Sequence, residues 1–122
     1  MRTRIWYLRS ITDSLPAYRP GAAEFPTTAQ AFHERYVPVA VLPEEHGDSE
    51  EEIGPLFRAF QGEIWSPNGE ANPLIASVGT DHTSMSVGDC VEVAEAFYVA
   101  APQGWVRHEK TFDPAEAYQV EA

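Results

Sequence analysis

The chain has 122 residues, which is long enough for one hydrophobic core. Its hydrophobic content of 43% is too high for a fully disordered protein. Its 19 acidic and 8 basic residues give a formal net charge of −11, which disfavours direct binding to nucleic-acid phosphates. No apolar run approaches the roughly 20 residues that span a bilayer, and the single cysteine excludes an internal disulfide. We therefore expect one cytoplasmic domain, residues 1–122, with no membrane contact.

The N-terminal part predicts a strand followed by irregular chain. Residues 3–9 alternate with period two and are rich in β-formers, which is typical of a strand. Residues 10–26 contain three prolines and a glycine and predict a loop.

A short helix and a second strand follow. The capping box Thr27-Thr-Ala-Gln30 predicts a helix over residues 28–35. Residues 36–43 are β-branched and predict a strand. Since Pro38 cannot donate a ladder hydrogen bond, we expect this strand at a sheet edge or a bulge.

Residues 44–52 form an acidic segment that precedes an amphipathic helix. Its six carboxylates are Glu44, Glu45, Asp48, Glu50, Glu51 and Glu52. Their spacing does not match a calcium loop, so a solvated charged loop is the simpler interpretation. The pattern Ser49-x-x-Glu52 is a second capping box, ahead of an apolar helical stripe at Ile53, Leu56, Phe57 and Phe60. Because Pro55 is costly inside a helix, we expect the helix to begin at Gly54.

Residues 62–79 lack a sustained period and contain two prolines and three glycines, which predicts a long surface loop. Long loops in compact domains are often functional, so we expect a binding surface here that includes Trp65 and Asn68.

The last third of the chain predicts a β-hairpin and two smaller elements. Residues 90–100 alternate around a short polar break and predict the hairpin. Residues 105–108 predict a further strand, and Asp113 followed by a proline predicts the start of a helix over residues 113–118.

Asp81, His82, Ser84 and Ser86 supply an acid, an imidazole and two hydroxyls within six residues, which are the groups of a small hydrolase. Nucleophilic catalysis needs these side chains to converge, and neighbours in a loop usually point apart. We favour the alternative that the hydroxyls bond to the backbone and shape the turn before the hairpin.

The remaining polar candidates predict neither a metal nor a cofactor. The histidines, at positions 33, 46, 82 and 108, lack metal-ligand spacing. Cys90 lies between Asp89 and Glu92, whose charges would raise the pKa of its thiol, so we expect a buried and unreactive strand residue.

Four motifs in the second half of the chain form a recognisable series: Leu56-Phe-Arg-Ala-Phe60, Ser84-Met-Ser-Val-Gly-Asp-Cys-Val91, Phe97-Tyr-Val and Gly104-Trp105. Together they resemble the core of the YodL-like domain family over residues 53–106, with Gly88 and Cys90 at variable positions of the family pattern. The resemblance implies a small domain found in plasmid, transposon and phage proteins, with no established catalytic residues. It supports an accessory role in a mobile element.

These patterns together predict an α+β fold, in which two or three short helices pack on one face of a small, mainly antiparallel sheet. Our leading functional hypothesis is a noncatalytic interaction protein that contacts a protein partner through residues 44–52 and 62–79. In a sharper version its carboxylates imitate DNA phosphates and occupy the basic groove of a host nucleic-acid-binding or defence protein.

Two alternatives remain open at this point. One is the small hydrolase built from the loop that contains His82. The other is a barrel-like nucleic-acid module, which would need Arg2, Arg4, Arg9 and Arg107 beside Trp6 and Trp105 on one face.

Overall fold

Five antiparallel strands form one sheet in the computed structural model, which describes residues 2–10 and 25–115. The strands are β1 (Arg4–Leu8), β2 (Tyr36–Val41), β3 (Cys90–Glu92), β4 (Ala96–Ala100) and β5 (Trp105–Glu109), in the order β2-β1-β3-β4-β5. The helices are α1 (Ala29–Arg35), α2 (Glu50–Ala59), α3 (Gly62–Trp65) and α4 (Asn72–Val78). The predicted α+β class is therefore confirmed.

Strand β1, which lies between β2 and β3, is buried on both faces of the sheet, to which its successive side chains point in turn. Ile5 and Tyr7 belong to one core cluster, which also contains Ile53 and Leu56 of α2 and Ile75 of α4. Trp6 and Leu8 belong to a second cluster, with Phe32 of α1, Tyr36, Cys90 and Phe97. The prediction that the helices share one face thus holds for α2 and α4 but not for α1, since both faces of the sheet are apolar and need cover.

Pro38 lies in β2, which is an edge strand, as predicted. It pairs with Trp6, and the register between the two strands shifts between Ile5 and Trp6. The missing proline donor is therefore accommodated by an edge position and an irregularity together.

The cap of α1 and the start of α2 differ from the prediction, whereas the predicted cap Ser49 is confirmed. Thr28, rather than Thr27, caps α1, and its Oγ1 accepts a hydrogen bond from the Ala31 amide at 3.1 Å. Helix α2 begins at Glu50, with Ser49 as its cap, so the predicted start at Gly54 was wrong. A serine cap and three glutamates in the first turn favour the earlier start. As a result Pro55 lies inside the helix.

The prediction of one long loop over residues 62–79 was wrong, because α3 and α4 both lie within it. Helix α4 has a proline in its first turn and ends at Gly79, whose φ of 86° is left-handed. These are ordinary signals for the start and the end of a helix.

The remaining elements follow the prediction where the structure describes them. The hairpin is formed by β3 and β4, and β5 runs one residue beyond the predicted end at 108. Asp113 Oδ1 accepts a hydrogen bond from the Ala115 amide at 3.0 Å, as expected of a helix cap. The predicted helix at residues 116–118 and the predicted loop at residues 11–24 lie outside the described residues. Within the described ranges, no helix is both long and apolar enough to cross a membrane.

Candidate functional site

The acidic segment, residues 44–52, is fixed against the sheet and is not the solvated loop that its composition suggests. The Thr3 amide donates to the Glu44 carbonyl at 3.4 Å. The His46 amide donates to Thr3 Oγ1 at 3.0 Å, and the same hydroxyl lies 2.9 Å from His46 Nδ1. The start of the segment is therefore tied to the residue that precedes β1.

Asp48 ties the middle of the segment to β4 and β5. Its carboxylate receives two hydrogen bonds from Arg107, from Nε at 2.8 Å and from a terminal nitrogen at 2.6 Å. The hydroxyl of Tyr98 donates to it as well. These bonds, that of Arg107 first, lower the pKa of Asp48 to about 2. Asp48 is thus ionised and engaged within the molecule.

The end of the segment, residues 50–52, forms the first turn of α2. Glu50 Oε1 accepts from the Trp105 amide at 3.1 Å, which joins the helix to β5. The Glu52 carboxylate folds back over Gly47, where an added Cβ would lie 1.8 Å from Glu52 Oε2. A larger residue at position 47 would therefore require the exposed Glu52 side chain to move.

The segment nevertheless presents its charge to solvent. All six carboxylate residues are exposed. Four of them, Glu44, Glu50, Glu51 and Glu52, have no basic side chain of the described residues within ion-pair distance. The result is an ordered acidic surface with little internal neutralisation.

Trp65 and Asn68, the other predicted binding residues, belong to a different part of the fold. Trp65 packs on Phe60 with the ring centroids 5.1 Å apart, and its indole nitrogen donates to the Thr83 carbonyl at 3.0 Å. Asn68 is exposed, and its amide donates to Glu70 Oε2 at 3.1 Å. Trp65 therefore has a structural role, and neither residue has a hydrogen bond to the acidic segment.

His82 is bound by two carboxylates: Asp81, which was a candidate residue from the sequence, and Asp89, which was not. Its Nδ1 lies 2.7 Å from Asp81 Oδ1, and its Nε2 lies 2.7 Å from Asp89 Oδ2. Asp89 is fully buried and also accepts from the amides of Leu8 and Ser86, each at 2.8 Å. Asp89 therefore joins the end of β1, the turn before β3 and the imidazole.

The pKa values of this pair follow from burial and mutual contact. Burial lowers the pKa of His82, but the hydrogen bonds and charges of Asp89 and Asp81 outweigh it, so that the net shift is upward. Burial raises the pKa of Asp89, while His82 and two backbone amides oppose the shift. The net shift of the Asp89 pKa is upward, because burial outweighs these hydrogen bonds and charges.

The serine hydroxyls are used elsewhere. Ser84 Oγ accepts from the Gly62 amide at 2.7 Å, at the start of α3. Ser86 Oγ donates to the Ser84 carbonyl at 3.0 Å. As predicted, both side chains shape the backbone. In the described structure His82 has carboxylates at both ring nitrogens and contacts neither serine, so a hydrolase triad is not assembled.

Asp89 was missed as a partner of His82 because the two lie seven residues apart across a turn. The signal that could have indicated it is Val-Gly-Asp directly before a strand, where Gly88 has a φ of 98°. An aspartate after such a turn commonly accepts from nearby backbone amides.

A second buried carboxylate, Glu92, lies on the opposite face of the sheet. It is fully buried and accepts from Trp6 Nε1 at 2.9 Å, from Arg4 Nε at 2.9 Å and from Lys110 Nζ at 2.5 Å. Its neighbour Cys90 is also fully buried, and burial, followed by the charges of Glu92 and Asp89, raises the pKa of its thiol. The prediction that Cys90 is a buried strand residue is confirmed.

The face required for a nucleic-acid module is not formed by the described residues. Trp6 is buried in the second core cluster, whereas Trp105 packs against the first, on the other side of the sheet. Arg4 is bound to Glu92 and Arg107 to Asp48. The two tryptophans therefore lie on opposite faces of the sheet, and two of the four arginines that such a surface would use are engaged in ion pairs within the molecule.

The histidines are dispersed in the same way. His33 contacts the Pro114 carbonyl, and His108 stacks on Phe25 with the ring centroids 4.5 Å apart. In the part of the chain that the structure describes, no group of three or more His, Cys, Asp or Glu side chains is arranged to hold a metal ion.

Comparison of the chain with models of protein families, with curated proteins and with solved structures finds no match.

Proposed function

We propose that this protein is a noncatalytic interaction protein that binds a basic protein partner through its acidic segment, residues 44–52. The observation that carries the proposal is the combination of anchoring and exposure in this segment. Its backbone is bonded to Thr3, just before β1, and two of its carboxylates are bonded to β4 and β5, while all six carboxylate residues are exposed.

An anchored acidic surface suits association with a basic one. Ordering a flexible loop costs free energy on binding, and a segment that is already ordered avoids much of that cost. Exposed carboxylates attract a positively charged partner and raise the rate of encounter, most strongly at low salt. The same chemistry would let the segment compete with DNA for a basic groove.

The engagement of the reactive side chains also favours a noncatalytic role. His82 is held by carboxylates, the two serines bond to the backbone and Cys90 is buried. A role in a phage or another mobile element is what the resemblance to YodL-like domains implies, and it belongs to this proposal.

The test is capture of partners from a bacterial lysate at low and at high salt, followed by affinity measurement with the purified partner. Glu44→Gln together with Glu51→Gln should weaken binding about 2- to 30-fold, from about 0.2–1 kcal/mol per exposed ion pair. Addition of duplex DNA should displace the protein if the partner uses a DNA-binding groove.

The matched control is the double variant Glu63→Gln and Glu95→Gln, which removes the same charge from two exposed positions outside the segment. Equal loss of affinity in both double variants would show that only net charge matters. Salt-insensitive capture would contradict the proposal, as would turnover of a nucleotide, ester or peptide that is lost on substitution of His82.

A further inference from the structure

Both ring nitrogens of His82 face carboxylate oxygens, at 2.7 Å each. A neutral imidazole has one N–H donor and one acceptor, whereas an imidazolium has two donors. Only the protonated ring can therefore donate to Asp81 and Asp89 at the same time.

The two carboxylates differ in their freedom to move. Asp89 is completely buried and held by two backbone amides, while the Asp81 side chain is 46% exposed. If His82 loses a proton, the remaining proton is favoured on Nε2, because Asp89 cannot reach water. The lone pair of Nδ1 would then face an Asp81 oxygen, and repulsion would drive that exposed side chain into solvent.

The other groups around the ring do not replace this contact. Tyr7 of β1 stacks on the imidazole, and burial, with the charge of Asp89, raises the pKa of its phenol, which stays neutral. Thr80 Oγ1 lies 3.2 Å from Nδ1 but donates its proton to the Leu8 carbonyl at 2.6 Å. Arg9, at the end of β1, directs its guanidinium to the carbonyl of His33.

Asp81 also connects the loop to the chain that follows β1. Its Oδ2 accepts from the Ser10 hydroxyl at 3.2 Å. The same loop, residues 80–89, also contacts α3: Ser84 Oγ accepts from the Gly62 amide, and the Thr83 carbonyl accepts from Trp65 Nε1. Movement of the Asp81 side chain would therefore change the surroundings of Ser10, which follows β1, and of the loop of residues 80–89.

We propose that protonated His82 is a pH-sensitive clamp, which holds the loop of residues 80–89 to the end of β1 through both Asp81 and Asp89. Loss of the proton releases the Asp81 side of the clamp and leaves the Asp89 side in place. The upward shift of the His82 pKa agrees with this arrangement, because the carboxylates stabilise the protonated ring. The clamp is complete at low pH and opens as pH rises through that pKa.

The test is an NMR pH titration of the full chain that follows the ring nitrogens of His82 and the backbone amides of residues 80–89. We expect two ring N–H protons below the midpoint, the Nε2–H tautomer above it, and a midpoint above the ordinary value of about 6.5. The amide shifts of Asp81 and Ser10 should follow the same midpoint. His108 provides an internal reference, since burial lowers its pKa.

Asp81→Asn should lower the His82 midpoint and reduce the shift changes at Ser10, because it removes one acceptor charge. Glu95→Gln, which removes a charge from the exposed β3–β4 turn, should leave both unchanged. A His82 that titrates below the ordinary value, or whose midpoint is the same in Asp81→Asn, would overturn the proposal. The same holds if the ring carries one proton at low pH.

Discussion

The ring of Tyr7 lies flat against the imidazole of His82, with the ring centroids 4.8 Å apart and the planes 7° from parallel. Beyond this contact, the Tyr7 hydroxyl donates to the Thr83 carbonyl at 2.8 Å. One side chain of β1 thus contacts both the imidazole of His82 and the backbone of Thr83.

Tyr7→Phe should keep the stacked ring and remove the hydroxyl donor. Because the Thr83 carbonyl still accepts from Trp65 Nε1, we expect a loss of about 0.5–1.5 kcal/mol in the free energy of unfolding, measured by urea denaturation. Tyr7→Leu, which also removes the ring, should cost more. Equal stability of Tyr7→Phe and the wild type would contradict a hydrogen bond at this position.

Glu92→Gln should destabilise the fold strongly. The neutral amide can still accept from Trp6, but it removes the buried negative charge that faces Arg4 and Lys110, whose side chains are only 26% and 14% exposed. Removal of one partner from a buried ion pair costs about 3 kcal/mol or more. Glu95→Gln, in the exposed turn between β3 and β4, is the control and should stay within about 0.5 kcal/mol of the wild type in the same denaturation experiment.

Pro55→Ala should stabilise α2. Proline at this interior position lacks the amide that would donate to the Glu51 carbonyl, and its ring crowds the preceding turn. After allowance for the greater freedom of the unfolded chain, we expect a gain of about 1 kcal/mol or more and increased helical circular dichroism. Pro73→Ala, in the first turn of α4, should give no gain, because proline is tolerated there. A loss of stability in Pro55→Ala would mean that the ring is needed for packing.

The strands were predictable because their residue types alternate along the chain, and alternate side chains lie on opposite faces of the sheet. β1 is the clearest example, since Ile5 and Trp6 enter different core clusters. Helices α3 and α4 escaped prediction for the opposite reason. They have four and seven residues, and Ile75 is the only one of these that is buried, so no helical stripe can show in the sequence. Helix α3 also depends on Ser84, which is 22 residues away.

The contacts of the site were not predictable from the sequence. Asp81 and His82 are adjacent, but adjacent side chains in a loop usually point apart, so even their contact was not expected. The contact with Asp89 needs the turn before β3, and the binding of Asp48 to Arg107 joins residues 59 positions apart. The acidic composition of residues 44–52 therefore predicts a solvated loop, although Asp48 and Glu50 have hydrogen-bond partners in the sheet.

Asp48→Asn should remove a source of stability that depends on pH. The folded pKa of Asp48 lies below its ordinary value of 3.8, at about 2, so ionised Asp48 stabilises the fold. This contribution is complete above the ordinary pKa and is lost as pH falls toward 2. The wild type should therefore exceed the variant in thermal stability at neutral pH, and the two should converge between about pH 4 and pH 2.

Salt and a matched variant separate this effect from net charge. The Asp48 contribution should shrink at high salt, because both Asp48 and Arg107 are partly exposed. Glu51→Gln removes an exposed charge that has no ion-pair partner in the described structure, so it is the reference for the effect of net charge alone. A constant gap between Asp48→Asn and the wild type down to pH 2 would exclude the ion pair as its cause.

Cys90 should react with a thiol reagent only when the protein unfolds. Its side chain is fully buried, and burial with the charges of Glu92 and Asp89 raises the thiol pKa, so the reactive thiolate is both rare and covered. The rate of modification by a chromogenic disulfide should therefore follow the population of unfolded chain as urea is added. Glu92→Gln should speed the reaction by raising that population, although it removes a charge that disfavours the thiolate. Fast modification of the native wild type would show that the strand opens locally, because the reagent cannot otherwise reach the sulfur.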